Sequence, residues 1–85
     1  MAATQGFQQI TVLTASTGLT VPASAAMALI QAESQSVRWR DDGTAPTAAI
    51  GMILSPGDVL VYNGSLGAIR FIEVAASAKL NVTYY

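Results

Sequence analysis

Hydrophobic and polar positions alternate along much of this chain with the two-residue period of a β-strand. The stretch FQQITVLT at 7 to 14 sets Ile10, Val12 and Thr14 on one face and Gln9, Thr11 and Leu13 on the other. Its β-branched residues favour an extended backbone. Gly18 and Pro22 then punctuate STGLTVPAS, so no long helix runs through it. The segment AAMALIQAES at 25 to 34 admits two readings. Its alanine, methionine and leucine favour helix by propensity, whereas Met27, Leu29 and Gln31 set against Ala28, Ile30 and Ala32 fit a strand buried on both faces. The β character of everything that follows selects the strand.

QSVRWR at 35 to 40 alternates cleanly, with Val37 and Trp39 on one side and Arg38 and Arg40 on the other. Asp41, Asp42 and Gly43 form an Asp-Gly turn signal, and Pro46 keeps TAPTAAIG extended and irregular. Pro56-Gly57 marks a turn, Val59 and Val61 alternate with Leu60 and Tyr62, and Asn63-Gly64 predicts a tight hairpin. AIRFIEV places Ile69 and Phe71 opposite Arg70, Ile72 and Val74; LNVTYY places Leu80, Val82 and Tyr84 opposite Asn81, Thr83 and Tyr85. Six to seven short strands, with a turn about every ten residues, predict an all-β fold. The expected form is a small antiparallel β-sandwich or jelly-roll-like barrel. A single domain over 1–85 is expected, with an extended N-terminal arm at about 1–8.

Composition changes the picture of the surface. Only 11% of the residues are charged, 52% are hydrophobic, and the net charge is -1; soluble domains average about 25% charged. An 85-residue chain buries only roughly 60 to 65% of its unfolded surface, so its private core is small. A chain packed against neighbours fits these properties better than a free monomer. With neither cysteine nor histidine, disulfides, the usual zinc frameworks and Ser-His or Cys-His catalytic pairs are excluded. Four cationic side chains, Arg38, Arg40, Arg70 and Lys79, are too few for a phosphate-backbone footprint, so nucleic acid is not an expected partner. The longest apolar run, AAIGMIL at 48 to 54, is far short of the roughly 20 residues a membrane helix needs. The ASA at 23 to 25 lacks the flanks of a signal sequence, and the chain reads as an unprocessed protein made in the cytoplasm.

The carboxylates Glu33, Asp41, Asp42, Asp58 and Glu73 are the only material for an acid-base pair. Asp41, Asp42 and Asp58 sit in turns, where aspartate serves local hydrogen bonding, and a calcium site at Asp41 and Asp42 would need further oxygen ligands at regular spacing. No catalytic, cofactor or metal residue is therefore assigned. VRWRDDGTAP at 37 to 46 carries four of the nine charged side chains and the only tryptophan. Arginine and aromatic residues are the types enriched at interface hot spots. The arginines are also expected to pair across strands with Glu33 or Glu73. The candidate protein interface comprises Arg38, Trp39, Arg40 and Asp42 at the turn, Phe7 in the N-terminal arm, and Tyr84 and Tyr85 at the chain end. The tyrosine pair reads equally as the last rungs of a strand.

The run LIQAESQSVRWRDDGTAPTAAIGMIL, followed by GDVLVY, AIRFIEVAASAKLNV and TYY, resembles a group of small tailed-bacteriophage virion structural proteins with the same order of elements. The resemblance covers roughly residues 28 to 85. It implies a non-enzymatic β-sandwich that decorates or joins parts of the particle, a capsid decoration or cement subunit on the virion surface. The partners it implies are the major capsid protein or other virion proteins and its own copies, with a trimer favoured. A head-tail connector, tail or fibre-base component is the alternative within that class. A host-surface carbohydrate-binding module is the alternative outside it, and it would stack sugar rings on an exposed Trp39 and Tyr62.

Overall fold

A computed structural model describes residues 4–85, and among them there is no helix. The elements are β1 (Gly6–Ile10), β2 (Thr17–Gly18), β3 (Ala28–Glu33), β4 (Val37–Arg40), β5 (Met52–Leu54), β6 (Val59–Tyr62), β7 (Arg70–Glu73) and β8 (Lys79–Tyr84). They form two four-stranded sheets in the orders β1-β8-β3-β6 and β2-β7-β4-β5, with every strand pairing antiparallel. The β-sandwich expected from the sequence is therefore present, with eight strands in place of six to seven. The two additions, β2 and β5, are the short edge strands of the second sheet, and at two and three residues they carry too little alternation to be read locally.

The pairings follow one rule. β1 pairs with β8, β2 with β7, β3 with β6 and β4 with β5, as in a single long hairpin; β3–β8 and β4–β7 contacts then roll that ribbon into two layers. This is the eight-stranded jelly-roll arrangement. Its tip is the β4–β5 connection at 41 to 51, and Gly43 takes a φ of +87° there, as the Asp-Gly signal requires. Elsewhere successive strands change sheet. Asn63-Gly64 accordingly does not close a hairpin: β6 lies in the first sheet and β7 in the second, and residues 63 to 69 carry the chain across.

The core is the space between the two inner faces. In β8, Leu80, Val82 and Tyr84 are buried and alternate with half-buried Lys79, Asn81 and Thr83, the faces expected from LNVTYY. Across the first sheet, Tyr84, Ala28 and Tyr62 lie in one row, so the small Ala28 separates two rings. Val37, Leu54 and Phe71 face them from the second sheet, and each fully buried large side chain contributes about 1.5–3 kcal/mol. β3 is buried on one face only: Ala28, Ile30 and Ala32 point inward, while Leu29 is half-buried and Gln31 and Glu33 are exposed. The two-sided burial expected for 25 to 34 fails because none of the described residues covers the outer side of this sheet. The first strand stops at Ile10, and Leu13, predicted opposite Ile10, reaches the core from the loop beyond. Residues 6 to 8 of the expected arm run in β1; residues 1 to 3 lie outside the described residues.

Side-chain contacts tie the two sheets together at both sides of the sandwich. Gln8 of β1 is tied to Thr20, beyond β2, through its amide nitrogen to the Thr20 hydroxyl and its carbonyl to the Thr20 backbone N–H. At the other side, Tyr62 of the edge strand β6 meets Trp39 of β4, the neighbour of edge strand β5.

Candidate interaction surfaces at the ribbon tip and the outer sheet face

The crowded charges of VRWRDDGTAP turn out to hold the ribbon tip. Arg38 donates from Nε to the Ala48 carbonyl at 3.1 Å and from Nη1 to the Gly51 carbonyl at 2.9 Å, so its guanidinium fork clamps the far side of the 41 to 51 loop. Arg40 donates from Nε and Nη2 to the two carboxylate oxygens of Asp42. That hydrogen bonding holds the Asp42 carboxyl below its ordinary range and raises the Arg40 guanidinium, but Asp42 is solvent-exposed and Arg40 only half-buried, so the pair is screened. Asp42 also accepts from the Thr44 backbone N–H at 3.4 Å. Asp41 accepts the Tyr62 hydroxyl at 2.7 Å. Burial first, and that hydrogen bond to a carboxylate second, push the Tyr62 hydroxyl above its ordinary range. Trp39 packs against Tyr62 at a centroid distance of 6.0 Å and 67°, an edge contact favoured by the ring quadrupoles.

The expected pairing of these arginines with Glu33 or Glu73 is not made. Glu33 lies in the other sheet, where it accepts from the Asn81 amide, and the two arginines find nearer acceptors in their own loop. The carboxylates are thus distributed over separate local roles. Among the described residues no three of His, Cys, Asp and Glu are grouped to hold a metal ion.

The candidate interface residues fall into two places. Arg38, Trp39, Arg40 and Asp42 lie at the tip, and a shallow groove of about 270 Å³ runs past Trp39, Arg40, Asp42 and Met52. Phe7 lies on the outer face of the first sheet and is 68% exposed. Tyr84 belongs to neither: its ring is only 1% exposed and its hydroxyl donates to Gln8 Oε1 at 2.7 Å, so the core has taken it up. Tyr85 is half-buried and extends the strand by exchanging backbone hydrogen bonds with Met27. The last-rung reading describes the geometry of both. Tyr62 is buried too, so Trp39 and Tyr62 form no exposed stacking platform for a sugar ring.

The sequence reading missed the rest of the outer face around Phe7. Strand register sets Phe7, Thr83, Leu29 and Val61 in one row, and Gln9, Asn81, Gln31 and Val59 in the next. A groove of about 230 Å³ lies between these rows, and Val59 and Val61 are 54% and 64% exposed. In Val-Leu-Val-Tyr both faces are apolar, so alternation alone does not say which one meets solvent. The surface is neutral except at the end where Lys79 stands opposite Glu33.

Compared with known protein families, with curated proteins and with solved structures, the chain shows no significant match.

Proposed function

We propose that this chain is a non-enzymatic structural subunit of a tailed-bacteriophage virion, a capsid decoration protein that binds the major capsid protein and its own copies on the particle surface. The observation that carries this reading is the outer face of the first sheet, where Phe7, Leu29, Val59 and Val61 form an uncharged, partly apolar surface that none of the described residues covers. Exposed apolar surface in contiguous rows marks sites of protein contact. The low charge and the small core point the same way, because neighbours add the burial that a short chain lacks. Jelly rolls build viral capsid proteins, but also lectins and cupins, so the fold by itself selects no role among them. The resemblance of residues 28 to 85 to phage structural proteins favours the first.

The test is to mix the purified protein with empty capsid shells, measuring bound stoichiometry and the shell's melting temperature. Saturable binding that raises the shell's melting temperature is expected. A protein that ignores the shell and binds isolated connector or tail assemblies would move the role to those parts of the particle.

A further inference from the structure

Apolar exposure is not spread evenly over this molecule. Of the eight exposed large hydrophobic residues among the described residues, Ile50, Met52, Ile53, Val59 and Val61 belong to β5, β6 or the residues just before β5. β5 and β6 are each the edge strand of their sheet. Edge strands are normally guarded by charge, proline, a bulge or a covering segment. β1, at the other edge of the first sheet, is guarded by the Gln8–Thr20 bridge. β6 reads Val-Leu-Val-Tyr, with no charge or proline within it, and among the described residues β3 is its only strand partner.

We propose that β6 pairs antiparallel with β6 of a second copy across a two-fold axis at Leu60, joining the two first sheets into one eight-stranded sheet. This rests on the self-association part of the proposed function and names the surface and symmetry by which it occurs.

The register follows from the pleat. Opposed residues in a continuous sheet must share a face, and in β6 the exposed face carries Val59 and Val61 while Leu60 and Tyr62 point inward. Centring on Leu60 sets Val59 opposite Val61 of the partner subunit and Val61 opposite Val59 of the partner subunit, two apolar cross-strand pairs. Centring on Val61 would instead leave Val59 facing Asn63 of the partner subunit. Charge also permits the Leu60 register: the two Asp58 carboxylates lie four residue steps apart, roughly 13 Å along the strand, beyond a Debye length of about 10 Å at 0.1 M salt. Strand pairing alone buries less than the roughly 800 Å² per partner of a stable interface. The same two-fold axis brings the β5–β6 sides together, so the exposed Met52 and Ile53 of each copy add apolar area from the second sheet. A two-fold contact of this kind is self-complementary and closes at two copies, unlike the trimer expected from the sequence.

The experiment is sedimentation of the full chain across a range of concentrations, without any shell, so its outcome is independent of capsid binding. A mass of twice 8.8 kDa is expected. Val61→Lys places a charge in the new sheet and should give a monomer with an unchanged far-ultraviolet spectrum. Phe7→Lys, at an equally exposed position on the guarded edge, should remain dimeric. The register is read by oxidation, since the chain has no cysteine of its own. A mixture of Val59→Cys and Val61→Cys copies should cross-link to a mixed dimer, while Val61→Cys alone should cross-link at least tenfold more slowly. A monomer at all concentrations, a trimer, or a dimer that survives Val61→Lys would overturn the pairing. Rapid cross-linking of Val61→Cys alone would overturn the register.

Discussion

Tyr62 shows how one side chain joins the two sheets. It is inward-facing on β6, its ring meets Trp39 of the other sheet, and its hydroxyl reaches past that ring to Asp41 at the ribbon tip. Removing the hydroxyl in Tyr62→Phe should cost about 1.5–3 kcal/mol in chemical denaturation at neutral pH, the net worth of a hydrogen bond to a charged group. Burial raises the hydroxyls of both Tyr62 and Tyr84 above the ordinary tyrosine value of 10.0. Folding therefore favours their neutral forms. The stability this contributes is complete below about pH 10 and is lost as pH rises through the raised folded-state values. The denaturation midpoint should fall above pH 10, and less steeply in a Tyr62→Phe, Tyr84→Phe double variant; an equally steep fall would assign the loss to other groups. Of these two rings, the sequence placed Tyr84 on the same strand face as Leu80 and Val82. The partner of Tyr62 was not visible, because Asp41 lies 21 residues away along the chain.

At the scale of elements, the ribbon tip is where charge and backbone geometry meet. The 41 to 51 loop is long for a hairpin, and its far side is held by the two carbonyl acceptors of Arg38. Arg38→Ala should cost roughly 1–2 kcal/mol. Amide hydrogen exchange should quicken in residues 44 to 51 while β8 stays slow. Arg38→Lys should recover less than half of the protection, since an ammonium does not reproduce the fork. Uniform acceleration throughout the chain would instead make Arg38 a support of the whole sandwich. The strand-turn pattern of VRWRDDG was legible because alternation and the Asp-Gly signal are local. The clamp was not, because main-chain carbonyls carry no mark in the sequence.

At the scale of the whole molecule, the rolled ribbon leaves β6 as an edge strand paired on one side only, among the described residues. On the proposed pairing, a second copy at β6 binds the folded chain and not the unfolded one, so self-association stabilises by mass action. The melting temperature of the free protein should rise with its concentration over a hundredfold range, and Val61→Lys should abolish the rise. A melting temperature independent of concentration would place the folded monomer alone in the transition. The proposed contact is apolar with a net charge of only -1 per copy, so salt between 0.05 and 0.5 M should change the effect little.

The sequence alone determined the all-β class, the approximate positions of six strands, and the inward sides of QSVRWR, AIRFIEV and LNVTYY. Each of these depends on a period of two or on a turn residue, properties of neighbouring positions. Tertiary structure decided which strands pair, as in the register of Gly6 with Tyr84, almost the full length of the chain apart. It also decided that residues 34 to 36 and 63 to 69 cross between sheets, where the sequence shows only a short polar break and a hairpin signal. Ser34 takes a left-handed φ of +75° to make the first of these crossings, a conformation that serine does not announce. The outward side of β3 and β6 was likewise left open. An apolar side chain satisfies an alternating pattern on either face, and only the layer packed against the sheet decides which face loses its water.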